Sequence, residues 1–272
     1  MTRSVITDIA ILGAGVVGLA IAERLLAERR EVVLVDPGEP GMGASYGNAG
    51  TIADYAVAPV GTPDVLWNLP TLLFDRNSPL AIRRAALSSL APWLIRFALQ
   101  SLPRPAARNA RAIAALLSGA GPQWGDLADR IGARPILQPR GCLYLYRTPA
   151  QVAAAKAEMA GRRALGVSVE VISGDELSRL EPGLPPMAGA AFFPQAIFLA
   201  DPGAMMRALA AHIAVGAGHL RARAERLTRH VDGVTVEGPG LHLHARRVVI
   251  AAGAHARDLA RQAGDAVPLD TE

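Results

Sequence analysis

Apolar and polar positions alternate along this chain with different periods at its ends and in its middle. Residues 8–12 (DIAIL) form an apolar run that stops at a glycine, the pattern of a strand buried on both faces of a parallel sheet. Over 16–29 the apolar residues recur at helical spacing. Val17, Ala20, Ile21, Leu25 and Leu26 share one face, and Glu23, Arg24 and Glu28 take the other. Residues 31–35 (EVVLV) read as a second buried strand, ending at Asp36. These three elements make a β-α-β unit. Glycine and proline cluster at 37–41 and predict a loop. The segment 43–50 (GASYGNAG) is small and glycine-rich, with room for a short helix to start within it.

The middle of the chain reads differently. Residues 62–125 predict helices broken at Pro79, Pro92, Pro103 and Pro105. Residues 140–146 alternate like a strand. A helix over 149–165, a strand over 167–172 and a strand over 189–193 follow. Towards the C-terminus the pattern predicts a helix over 202–215 and a strand near 220–224. Residues 231–237 and 241–245 predict a hairpin across Gly238-Pro239-Gly240, and 247–252 (RVVIAA) a buried strand stopped by Gly253. The two ends resemble each other more than either resembles the middle. The fold class expected is therefore α/β, with a discontinuous Rossmann-like nucleotide-binding domain (1–54 and 199–262) and an inserted α+β substrate domain (55–198 plus 263–272).

Composition narrows the function. The chain is 51% hydrophobic and 19% charged, enough to bury a core. Only 4% is aromatic and the net charge is +4, so no nucleic-acid partner is expected. A single cysteine, Cys142, leaves no internal disulfide and no cysteine-ligated metal, and reads as an inert buried thiol. His242 and His244 alternate on one strand without a third ligand nearby, so they read as exposed strand residues and no metal site is expected. No targeting signal or apolar run of membrane-spanning length is read, so a cytoplasmic protein is expected, soluble or peripheral on the inner membrane. Charge is distributed unevenly. From Arg76 to Gly125 there are seven arginines and no acid, in a segment that also holds Trp93, Ile95, Phe97 and Leu99. Such a basic amphipathic stretch suits an anionic membrane surface, and equally a solvated helix packed on its own domain.

The chemistry-bearing motif is Gly13-Ala14-Gly15-Val16-Val17-Gly18, which fits G-x-G-x-x-G. It follows a buried strand, opens a helix, and leads to Asp36 at the end of the next strand. In that setting Gly13 makes the tight turn, Gly15 lets backbone approach a pyrophosphate, and Gly18 allows close helix–strand packing. The N–H groups at the helix start attract the anion, and Asp36 accepts from a ribose hydroxyl. The unit serves FAD and NAD alike. Ser45 also sits in a G-x-S-x-G pattern, but the prolines and glycines before it leave no strand to form a hydrolase nucleophile elbow. It is better placed as a hydroxyl or a helix cap near a cofactor. Tyr55 faces either the cofactor or the core.

These motifs, with S-Y-G-N-A-G at 45–50 and V-V-I-A-A-G at 248–253, resemble the D-amino acid oxidase superfamily of FAD enzymes. Further pieces are similar to the bacterial D-amino acid dehydrogenase small-subunit type. They are S-P-L-A-I-R at 78–83, G-C-L-Y-L-Y-R at 141–147, L-E-P-G-L at 180–184, and Asp201-Pro202. The resemblance implies FAD as cofactor and oxidative deamination of D-amino acids by hydride transfer to flavin. A quinone or respiratory-chain acceptor and peripheral membrane contact through 76–125 go with that reading. Other members oxidise glycine, sarcosine or hydroxyproline, and a non-catalytic nucleotide-binding remnant is a further alternative. The implied cofactor-binding residues are Gly13, Ala14, Gly15, Val16, Val17, Gly18, Asp36, Ser45, Asn48, Ala49, Gly50, Ala224, Ala252 and Gly253; the resemblance assigns no catalytic residue. The chain departs from the family pattern at Pro37, where a basic residue is usual. It also stops at Glu272, where members continue, so a domain incomplete at its C-terminus is expected.

Overall fold

The computed structural model describes residues 4–68 and 87–267. The chain falls into two compact units. One is built from Met1–Gly50, Gly125–Gln138 and Leu199–Glu272, the other from Thr51–Trp124 and Pro139–Phe198.

The first unit is organised by strand β1 (Ser4–Leu12), helix α1 (Val16–Ala27) and strand β2 (Val32–Val35). Helix α2 (Pro202–Ile213) follows, then β3 (Gly218–Leu220), β4 (Arg226–Arg229), β5 (Val234–Gly238) and β6 (Leu241–Ile250). Helix α3 (Ala256–Gln262) ends the series. The six strands form one sheet in the order β4-β5-β6-β1-β2-β3. Strands β3, β2, β1 and β6 run parallel, and β4 and β5 add an antiparallel edge. Leu12 stands opposite Val35 on one side and Ile250 on the other, so three strands end together. That common end is where open α/β sheets bind ligands.

Burial explains why these segments became strands. Ile9 to Leu12 and Val32 to Val35 are buried on both sides. Leu19 and Ala22 of α1 and Met205, Met206, Leu209 and Ile213 of α2 are also buried, and α1 packs on α2. A separate cluster joins Ala10, Leu12, Val33 and Val35 to Leu227, Val236, Leu243 and Leu259. Glu23 is an acid within the buried face of α1, only 4% exposed. Arg130 meets it with two hydrogen bonds of 2.6 and 3.1 Å. The Glu23 carboxylate holds the Arg130 guanidinium above its ordinary pKa, chiefly through that hydrogen bonding.

Several expectations need correction. β6 is one strand of ten residues, whereas its sequence reads as a hairpin arm and a separate strand. Arg246 and Arg247 interrupt the apolar run, but Arg246 reaches Asp8 on β1 at 3.1 Å and the ladder continues past it. Segment 43–50 is a succession of turns, not a helix start. Within the first unit, 125–138 is tied by Arg130 to Glu23. In the same unit, residues 263–265 cap α3 through bonds from Ala263, Gly264 and Asp265 N–H groups to Leu259, Arg261 and Ala260 carbonyls.

In the second unit, strands Cys142–Tyr146 and Glu170–Ser173 flank Gly189–Phe193, all antiparallel. Among the described residues its helices include Pro63–Trp67, Leu87–Gln100, Pro103–Leu117, Pro149–Ala164 and Gly174–Leu180. Pro92 lies inside a helix instead of breaking it, and Pro103 starts one. Pro79 lies outside the described residues. Thr148 with Gln151, and Ser173 with Glu176, form capping boxes that fix two helix starts. Hydrogen bonds from Ser173 hold the Glu176 carboxyl below its ordinary pKa.

Candidate dinucleotide site

The turn after β1 leaves no space for a side chain at Gly13. Gly13 has φ +108°, and a Cβ there would strike the Ala251 carbonyl and lie 2.9 Å from the Ala252 Cα. Its N–H donates to the Val35 carbonyl (2.9 Å), while Ala251 N–H donates to the Leu12 carbonyl (2.8 Å). The turn is therefore wedged between the ends of β2 and β6. A Cβ on Gly18 would run into the Gly13 carbonyl, so α1 can start this close to β1 only with glycine there.

Gly15 caps α1 without a side chain, and the helix carries no acid in its first turn. The first N–H groups of a helix have no partner within it. Here one of them is met from outside, as Val16 N–H donates to Ser45 Oγ at 2.9 Å. The N–H groups of Val17 and Gly18 are the next donors in that turn, and the Val17 side chain is 59% exposed. Asp36 holds the turn from the other side. Its Oδ2 accepts from Ala14 N–H and its Oδ1 from Gly38 N–H, both at 2.8 Å. A carboxylate oxygen has two lone pairs, so each keeps capacity for a hydroxyl donor.

Segment 43–50 is tied to the same turn. Gly41 N–H donates to the Ala14 carbonyl (2.7 Å), and Tyr46 N–H to the Gly43 carbonyl (3.0 Å). Asn48 Nδ2 donates to the Ser45 carbonyl (2.8 Å), and Asn48 Oδ1 accepts from Gly50 N–H (2.7 Å). Gly50 in turn accepts from Leu199 N–H (2.7 Å), which fixes the far end.

The structure thus brings together Gly13, Ala14, Gly15, Val16, Gly18, Asp36, Ser45 and Ala252. Asn48, Ala49 and Gly50 continue the same segment. Ala224 and Ala252 pack against one apolar cluster. The segment holding Ala224 is guided past β2 by Ala222 N–H, which donates to the Asp36 carbonyl (3.2 Å). Gly253 begins a short 3-10 turn, with open space where a side chain would be. Sequence reasoning overlooked Tyr46 and its neighbours Gly203 and Arg207, which lie more than 150 positions further along the chain. Only the Asp201-Pro202 helix start marked that region.

Other candidates take structural places. Tyr55 is buried, stacked on Phe193 at 4.6 Å and edge-on to Tyr144 at 6.1 Å. Burial, then a hydrogen bond with Cys142, pushes its hydroxyl pKa up. Cys142 is half-buried. His242 is exposed, but His244 is half-buried, with Nδ1 3.4 Å from Thr235 Oγ1, which corrects its reading as an exposed residue. Among the described residues no three histidines, cysteines or acids are grouped to hold a metal ion. Among them no helix is long and apolar enough to cross a membrane.

A wedged glycine turn, a helix start with open amides and an acid at the end of β2 define a Rossmann-type dinucleotide-binding unit. The chain belongs to the DAO family, described as FAD dependent oxidoreductase, which matches residues 8–271. It is 34% identical over 275 residues to a D-amino-acid oxidase of Bradyrhizobium diazoefficiens, covering 97% of this chain and 64% of that protein. It is 35% identical over 189 residues to D-amino acid dehydrogenase 2 of Ralstonia nicotianae, covering 67% of this chain and 44% of that protein. The fold is shared with glycine oxidase from Geobacillus kaustophilus, with TM-score 0.64 and 24% identity over 95% of this chain and 58% of that one. The chain therefore spans less than two thirds of the length of each.

Proposed function

We propose that this chain binds FAD and serves the oxidative deamination of D-amino acids. The observation that carries the reading is the braced turn itself. Gly13, Gly15 and Gly18 bring bare backbone to the start of α1, while Asp36 and Ser45 hold that backbone still from two sides. The donor set fits a pyrophosphate, since it consists of helix-start amides with no competing acid in the first turn. In this reading Val17 and Gly18 N–H groups bind the pyrophosphate. Asp36 accepts from the adenosine ribose, and Ala224 lies on the adenine side. Asn48, Ala49 and Gly50 line the path towards the flavin ring, and Ala252 and Gly253 close the opposite side. FAD, when bound, supplies the acceptor for two electrons. The protein's contribution is binding and orientation, with the turn kept rigid before the cofactor arrives.

The D-amino acid substrate is supported by the names of the two relatives. A quinone acceptor at an anionic membrane is the finer part of the proposal. It is supported by helix Leu87–Gln100, where Trp93, Ile95 and Leu99 are exposed beside Arg96. The test is an anaerobic absorption spectrum of the purified protein before and after D-alanine. Flavin bands that bleach with D-alanine and not L-alanine are expected. Bands that bleach only with glycine, sarcosine or hydroxyproline would overturn the substrate, and failure to bind added FAD would overturn the cofactor.

A further inference from the structure

Ser45 reaches the start of α1 from a turn that has no helix or strand of its own. Something must keep that turn in place. Its ends are tied at Gly41 and Gly50, but Ser45 lies between them. The residue next to it, Tyr46, provides the third attachment. The Tyr46 ring packs against Gly203 in the first turn of α2, so close that a Cβ on Gly203 would sit 2.7 to 3.1 Å from three ring atoms. Arg207, one turn further along α2, covers the ring with its guanidinium 5.7 Å from the centroid. Its Nη1 donates to the Tyr46 hydroxyl at 3.0 Å. Arg207 is itself oriented by Asp201, whose Oδ2 accepts from Nη2 at 3.3 Å. The other Asp201 oxygen caps α2, accepting from Ala204 N–H at 2.8 Å.

We propose that Gly203, Tyr46 and Arg207 form a clamp that positions Ser45 against α1, and that they are positioning residues for FAD. The proposal rests on the FAD reading above. The clamp couples two helices through two adjacent side chains, as α2 holds Tyr46, and Ser45 holds the Val16 amide. Its members differ in weight. The Arg207–Asp201 pair is more than half exposed, and such pairs contribute little. The ring seated on Gly203 is the larger part, because a side chain there displaces the whole tyrosine. Tyr46 remains exposed, at 38%, so the contact with Gly203 and Arg207 leaves part of the side chain in solvent.

The experiment uses the full chain as apoprotein, with two readouts. The first is the FAD dissociation constant from flavin fluorescence. The second is hydrogen exchange at Val16 and at 43–50 without FAD. Gly203→Ala and Tyr46→Ala are each expected to weaken FAD binding by about tenfold, the scale of one lost aromatic contact with its cation. Tyr46→Phe keeps the ring on Gly203 and is expected to bind within about threefold of the parent, the share of one exposed hydrogen bond. Adding Gly203→Ala to Tyr46→Ala should cost nothing more, because the ring it would displace is gone. Both single alanine variants should speed exchange at Val16 while leaving Tm nearly unchanged. Additive effects, or parental exchange at Val16 in Tyr46→Ala, would overturn the clamp. If the parent chain fails to bind FAD, the cofactor reading falls, and the exchange data still decide whether the clamp exists.

Discussion

Residues 12–50 and the helical pair Leu87–Gln100 and Pro103–Leu117 both expose much of their surface, and they handle it in opposite ways. In the first region Asp36, Ser45 and Asn48 spend their side chains on neighbouring backbone, and Gly13 and Gly18 sit where a Cβ would strike backbone. In the second, Trp93, Ile95, Leu99 and Leu116 face outward, and no acid lies between 76 and 125 to answer the arginines. These bonds and close approaches to backbone fix the shape of the first region, so substituting Gly18 or Ser45 should cost stability. The second presents exposed apolar and basic side chains, so substituting its exposed arginines should change mainly what the protein adheres to. A helix apolar on its outward side normally meets a further surface.

The largest expected effect tests the steric side of that contrast. Gly18→Val should lose about 4 kcal/mol in urea unfolding, or fail to fold, because its Cβ meets backbone that cannot move aside. A loss below about 1 kcal/mol would show that α1 can shift away from the turn. Next comes Arg130→Met. It strands the buried Glu23 carboxylate and should cost about 3 kcal/mol. Pairing it with Glu23→Met should restore most of the loss, and a double variant no better than the single would refute the account.

Ser45→Ala removes one hydrogen bond to the start of α1 and should cost about 1 kcal/mol, together with weaker FAD binding. For the helical pair, reversing Arg104, Arg108 and Arg111 to glutamate should move stability by less than about 0.5 kcal/mol. The same change should abolish co-sedimentation with phosphatidylglycerol vesicles at low salt, where the parent protein should sediment. Parent protein that ignores such vesicles would remove the membrane from the proposal. The smallest effect concerns Asp54, whose carboxyl is pushed up by burial. A carboxyl raised in the fold costs stability once pH exceeds its unfolded value of 3.8. Asp54→Asn should therefore raise Tm slightly at pH 7, and the gain should disappear as pH falls below that value.

What could be read from the chain was local. The β1-α1-β2 unit, the glycine turn, Asp36 and Ser45 all follow from apolar runs and steric needs within a few tens of residues. What could not be read depends on distant partners. Glu23 gives no hint on α1 that Arg130, 107 positions away, will meet it. Tyr46 and Arg207 are 161 positions apart. β6 looks divided because Arg246 appears polar until Asp8 is placed beside it. The turns at 43–50 are held by the hydrogen bond from Asn48 to the Ser45 carbonyl, a tie that small, glycine-rich composition does not reveal. Residues 125–138 carry no local mark of belonging to the first unit.

The parallel pairing of β1 with β6 has a consequence during synthesis. Ser4 aligns with His242, so 238 further residues must be added before the partner strand exists. At roughly 5–20 residues per second the ribosome needs about 10–50 s to deliver it. Through that interval β1 holds a long unpaired edge of Ile9, Ala10, Ile11 and Leu12, the kind of edge that recruits other chains. Yield of folded protein should therefore depend on translation speed and on chaperones that shield nascent strands, more than on the strength of any contact in the finished sheet.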